Sequence, residues 1–128
     1  MEQICSFFAG EIVTSIQKAS LATSGAEIIV YSTISGGIGA LCPLDSREDV
    51  DFFTHVEMYL RNLLPNLSGR DHLNYRSYYS PCKGVIDGDL CEVFMKVPRG
   101  EQEEISKYLE LEPHEIHRRL EEMRNRVI

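Results

Sequence analysis

The sequence predicts an α+β chain, antiparallel strands first and a small α-helical carboxy-terminal domain after them, on three observations. Between Ile4 and Leu44, short runs of β-branched and aromatic residues alternate with glycine-bearing turns, as strands joined by tight connections require. After Pro43 the apolar residues recur at spacings of three and four, the period of a helix. The 128 residues, 43% hydrophobic and 26% charged with no long apolar run, have the balance of a soluble globular chain with one modest core. The division falls between residues 1–44 and 45–128.

In the first part the runs CSFF, EIVTSIQ, EIIVYSTI and IGALCPL are separated by Gly10, Thr23-Ser24-Gly25 and Ser35-Gly36-Gly37, the spacing of a β-meander. Within EIVTSIQ, Ile12, Thr14 and Ile16 share one face and Val13, Ser15 and Gln17 the other, so one buried side is expected. The run Ser35-Gly36-Gly37-Ile38-Gly39 is glycine-rich, but a strand follows it and it lacks the Gly-Lys-Ser/Thr ending of a phosphate loop. Gly36, Gly37 and Gly39 therefore read as turn residues.

In the second part Ser46, with Asp49 three residues on, makes a capping-box-like start, and Asp45, Glu48, Asp49 and Asp51 put negative charge where the helix dipole favours it. Phe53, Val56, Leu60, Leu63 and Leu64 then form the apolar stripe until Pro65. Asp87 caps a short second helix with the face Leu90, Val93, Phe94 and Val97, closed by Pro98. A third helix runs from about Gly100 to Leu109. The fourth opens on Pro113 and carries Ile116, Leu120, Met123 and Val127 inward. Its outer face, Glu115, Arg118, Arg119, Glu121, Glu122, Arg124 and Arg126, reads as solvation plus weak ion pairs.

The chemistry-bearing run is Gly69 to Phe94, where Arg70, Asp71, His72, Tyr75, Arg76, Tyr78 and Tyr79 crowd planar donors, acceptors and rings into a short stretch. Arg and Tyr anchor interfaces, and tyrosines equally cover a small core with one partner for each hydroxyl. Docking and packing both fit at this point. Asp71-His72 lacks a nucleophile elbow of the G-x-S-x-G type. Asp87 and Asp89 lack the other oxygen ligands of a calcium loop. His114 and His117 have a spacing that could share a metal, with no second ligand pair to complete a zinc site. Cys5, Cys42, Cys82 and Cys91 match neither paired zinc spacing nor a secreted disulfide framework, so reduced thiols are expected. No catalytic residue, metal or cofactor is expected. Thirteen basic against twenty acidic residues leave a net charge of −7, which opposes a direct grip on a phosphate backbone. MEQICSFFAG lacks the basic and apolar regions of a leader, so an intracellular chain with no membrane contact is expected.

Some forty residues of strand cannot cover both faces and both edges of a sheet. The chain thus reads as one end of something larger, or as its obligate partner.

The strings SGGIGALCPLDSREDVDFFTHVEMYLRN, GRDHLNYRSYY and GVIDGDLCEVF resemble the carboxy-terminal end of the large multi-propeller scaffold family, in its splicing branch. Two other branches, damaged-DNA-binding protein 1 and the largest cleavage and polyadenylation specificity subunit, are similar in the glycine turn, the IDGDL helix start or the overall plan. Ser46 to Phe53, Gly69 to Leu73 and Arg76 to Tyr79 are the strings that favour the splicing branch. The resemblance loosens from about Val97. Glu112-Pro113-His114 departs from a Thr-Pro start, and Asn74-Tyr75 stands where Ser-Phe is usual, adding a hydroxyl that needs a partner.

The resemblance implies that residues 1–44 are the last strands of a terminal β-propeller, whose remaining blades belong to a longer chain, and that residues 45–128 are the helical carboxy-terminal domain. It implies a nuclear, non-catalytic scaffold of the SF3b part of the U2 small nuclear ribonucleoprotein, acting in branch-site recognition. Its partners would be the HEAT-repeat largest subunit and the small zinc-containing subunit of that complex, with RNA contact indirect. Arg70, Asp71, His72, Arg76, Tyr78 and Tyr79 would fasten the helical domain to a propeller or partner. The rival expectation is direct binding of nucleic acid, or an adaptor role in ubiquitin ligation like that of the damaged-DNA branch.

Overall fold

The computed structural model describes residues 2, 4–20, 27–63, 75–77 and 82–127. Three strands, β1 (Val13–Ala19), β2 (Ile28–Thr33) and β3 (Ile38–Leu41), form an antiparallel sheet in the order β1-β2-β3. The meander follows from the sequence: β-branched runs meet across a tight turn in which Gly36 takes a φ of +91° that a side chain would resist. The Thr33 N–H donates to the Gly37 carbonyl at 2.9 Å, and the Gly36 N–H donates back to Thr33 at 3.1 Å.

Two expectations for the strands need correction. The register shifts between Val13 and Ser15, so a bulge at Thr14 breaks the simple two-residue alternation. β1 is exposed from Val13 through Lys18, with no buried side. Gly39 lies inside β3 and not in the turn. There the Tyr31 ring crosses from β2, and a Cβ on Gly39 would stand 2.2 Å from it.

The CSFF run also departs from expectation, because it is not a strand of this sheet. Ser6 forms an isolated antiparallel bridge to Lys83, with N···O distances of 2.8 and 2.9 Å. The Phe8 N–H donates to the Arg76 carbonyl at 3.0 Å. The amino-terminal segment thus leaves the meander and lies against the helical part.

Among the described residues the sheet is followed by the helices α1 (Arg47–Leu63), α2 (Gly88–Glu92), α3 (Arg99–Leu109) and α4 (Pro113–Val127). The Ser46 carbonyl accepts the Val50 N–H at 3.1 Å, opening α1. Phe52, Phe53, Val56 and Leu60 are its buried residues, each contributing on the order of 2 kcal/mol on burial. Leu63, expected in the stripe, is exposed, while Leu64 and Pro65 lie outside the described residues. α2 is shorter than its apolar face and passes into a 3-10 turn over Val93–Lys96. The Gln102 amide nitrogen donates to the Phe94 and Val97 carbonyls at 2.9 and 3.1 Å, supplying donors to the end of that turn.

The core joins Phe52, Phe53, Val56 and Leu60 to Leu90, Cys91, Phe94, Val97, Ile105, Ile116 and Leu120. α4 is held to the start of α1 by Asp49, which takes Arg119 and Arg126, each at 3.2 Å. Arg119 also lies 4.3 Å from the Phe52 ring centroid. Expected as a solvated outer residue, it is instead largely buried, because its stem covers an aromatic ring while its head reaches a carboxylate.

Candidate functional site

Arg76, from the aromatic run, occupies the junction of three segments. Its Nε donates to Asp87 Oδ2 at 3.0 Å, and its Nη2 lies 3.0 Å from the same oxygen. Its Nη1 donates to the Phe8 carbonyl at 2.7 Å. The guanidinium carbon stands 4.4 Å from the centre of the Phe7 ring and 5.2 Å from that of Tyr75, within reach of cation–π attraction. A planar fork can serve a carboxylate, a carbonyl and a ring face together, which an ammonium cannot.

Asp87 divides its carboxylate. Oδ2 faces Arg76, while Oδ1 accepts the N–H groups of Asp89 and Leu90 at 3.1 and 3.4 Å, capping α2. The side chains of Arg76 and Asp87 are 16% and 6% exposed, so the charge is desolvated and its partners are fixed. From α1, Glu57 Oε2 accepts the Asp87 N–H. The amino-terminal segment, α1 and the α2 cap therefore meet at one ion pair.

Two glycines let the chain approach this point. Gly10 has a φ of +91°, and a Cβ there would lie 2.7 Å from the Tyr75 hydroxyl. Gly84 has a φ of +68°, and a Cβ there would lie 2.8 Å from the Ile4 carbonyl. The Tyr75 ring also meets Phe8 edge-on at 5.4 Å. Between the sheet and α1 and α2 lies an open cleft of about 1170 Å³, whose lining includes Ile28, Leu41, Phe53, Glu57, Asp89 and Cys91.

Of the six expected docking residues, the described part contains Arg76, whose polar contacts above are to its own chain. Arg70, Asp71, His72, Tyr78 and Tyr79 lie outside the described residues. The sequence reading missed Phe7, Phe8, Glu57 and Lys83 as members of this junction. The paired phenylalanines before Gly10 were its one local signal; Glu57 carries none.

The histidines diverge. His114 Nδ1 lies 3.2 Å from Glu112 on the surface, whereas His117 Nε2 is 3.3 Å from Gln102 Oε1 and its ring packs on Phe94 at 5.3 Å. Among the described residues no group of three His, Cys, Asp or Glu side chains could hold a metal. Burial raises the thiol pKa values of Cys91, Cys82 and Cys42, the reverse of what an activated thiolate needs. Among the described residues no helix is long and apolar enough to cross a membrane.

The profile of the CPSF A subunit region matches residues 1–96. Splicing factor 3B subunit 3 of Drosophila melanogaster is 50% identical over 125 residues, covering 98% of this chain and 10% of that protein. Spliceosome-associated protein 130 A of Arabidopsis thaliana is 49% identical over 128 residues, covering 100% of this chain and 10% of its own. Pre-mRNA-splicing factor rse1 of Emericella nidulans is 46% identical over 127 residues, covering 99% and 10%. The chain spans about a tenth of the length of these relatives.

Proposed function

The chain belongs to the CPSF A subunit region family, and from that membership we propose that it is part of a non-catalytic scaffold acting in pre-mRNA splicing. The observation that carries this reading is identity near one half, over nearly the whole chain, to relatives from an insect and a plant whose names place them in splicing or with the spliceosome. The geometry is in keeping with it. The Arg76 junction presents buried, internally paired polar groups, whereas a catalytic pocket needs convergent groups left open to a substrate.

In this reading the assembly is the SF3b part of the U2 small nuclear ribonucleoprotein, in the nucleus. The HEAT-repeat largest subunit and the small zinc-containing subunit are the protein partners, and RNA is held mainly by those neighbours. Residues 1–44 supply strands to a terminal propeller blade and residues 45–128 form the helical domain beside it. The sheet supports this: Ile16 is 67% exposed and Ile38 81% exposed on outer strands, surface that a closed propeller would cover and whose edges it would pair. Arg76 fastens the helical domain to its own amino-terminal segment, and Arg70, Asp71, His72, Tyr78 and Tyr79 extend the fastening to a propeller or partner.

The test is affinity capture of the tagged full-length polypeptide from nuclear extract. Recovery of SF3b subunits is expected. Recovery of cullin components without them would replace the reading with a ubiquitin-ligase adaptor, and salt-sensitive retention of nucleic acid alone would replace it with direct binding.

A further inference from the structure

Residues 4–8 lie against the helical side, and their contacts at Ser6 and Phe8 lead toward Asp87. The backbone bridge of Ser6 to Lys83 lies four residues before that carboxylate. Arg76 grips the Phe8 carbonyl with one nitrogen and Asp87 Oδ2 with two others. The second oxygen of the same carboxylate caps α2. That helix is a little over one turn long, too short to hold itself without its cap and its buried Leu90 and Cys91. At the other end of the strap, Gly10 turns the chain into β1 against the Tyr75 hydroxyl.

We propose that residues 4–10 are a strap whose docking is energetically coupled, through the shared Asp87 carboxylate, to the order of α2. Seating the strap fixes Arg76, Arg76 fixes the Asp87 rotamer, and that rotamer aims Oδ1 at the α2 amides. A partner that displaces the strap loosens α2, and one that packs on α2 tightens the strap, since coupling is reciprocal. The device rests on the geometry of this chain and not on the splicing assignment.

Hydrogen exchange on the full-length protein tests it with two variants. Arg76→Gln removes the link. Ser6→Pro removes the N–H that donates to the Lys83 carbonyl and loosens the strap from its own side, at a position other than Arg76 and Asp87. Both are expected to raise exchange across residues 4–10, and also at the Asp89 and Leu90 amides by about tenfold, the scale of one charge-assisted hydrogen bond. The amides around Ile116 and Leu120 in the core should stay better protected than those of Asp89 and Leu90, which establishes that the variants fold. Faster exchange in the strap with unchanged exchange at Asp89 and Leu90 would overturn the coupling. So would strap, α2 and core amides all exchanging with one common opening free energy, because the strap would then be part of global unfolding. Capture of SF3b subunits by the same variants is read separately, so loss of the assembly assignment and loss of the coupling are distinguishable.

Discussion

Replacing Arg76 with alanine would take its guanidinium away from the Asp87 carboxylate, which is 6% exposed. Breaking a buried pair from one side costs about 3–5 kcal/mol. Chemical denaturation of Arg76→Ala should show a loss of that order, and Arg76→Lys should recover only part of it because an ammonium cannot reproduce the fork. Two backbone positions give smaller, opposite effects. Glu110 ends α3 in the left-handed region, at φ 58°, with its N–H donating to Lys107 at 3.3 Å. Glycine is the usual residue there, and Glu110→Gly should raise stability by about 0.5–1 kcal/mol, read as a higher melting temperature. Gly10→Ala should lower stability by about 1–2 kcal/mol, since an L-residue resists that φ and the added carbon meets the Tyr75 hydroxyl.

Elements differ in how they answer to pH. Hydrogen bonds from Ser35 and then Thr33 hold the Glu11 carboxyl below its ordinary value of 4.5, tying the entry to β1 to the β2–β3 turn. A depressed carboxylate pKa adds stability that is present above the unfolded value and lost as pH falls through the folded one. Glu11→Gln should therefore weaken protection of the β2–β3 turn at neutral pH and make no difference once the carboxyl is protonated, as NMR exchange at both pH values would record. The alkaline side belongs to the packing of α1 against α2 and α3. Burial raises the Cys91 thiol from 9.0, and burial followed by the Tyr108 hydrogen bond raises Tyr59 to about 12. Both groups remain protonated in the folded state where the unfolded chain has begun to ionise, so stability falls as pH rises from about 9. Cys91→Val, compared with the parent in melts from neutral to alkaline pH, should show a flatter alkaline decline.

At the scale of the molecule the helical part closes a core, with Val56, Leu60, Phe94 and Ile116 essentially inaccessible, while the sheet leaves apolar residues in the open. Ile12 and Ile34 are each 67% exposed beside one another, joined by the Ile34 N–H to Ile12 carbonyl bond of 2.9 Å. Surface apolar residues cost little to replace where nothing packs on them, about 0.5 kcal/mol or less. Ile16→Lys with Ile38→Lys should leave the helical core's unfolding midpoint in place and weaken capture of the SF3b assembly from nuclear extract. Unchanged capture would oppose the reading that a closed propeller covers these faces.

Much of this was legible in the chain because local rules govern it. The 3.6-residue period of Phe53, Val56 and Leu60 and of Ile116, Leu120 and Met123 specifies helices that must bury one stripe, and an aspartate before Gly88-Asp89-Leu90 specifies a cap. Glycine punctuation placed the hairpin turn. What stayed hidden depends on contacts between distant residues. No periodicity reveals that CSFF leaves the meander to pair at Lys83, that Tyr31 covers Gly39, or that Arg119 turns from solvent to Asp49. The Arg-Tyr run carried equal marks of docking and packing, because a guanidinium offers the same donors to a partner as to its own chain. Only the tertiary structure shows where the Arg76 fork reaches within its own chain, by bringing the Phe8 carbonyl, sixty-eight positions away, to within 2.7 Å.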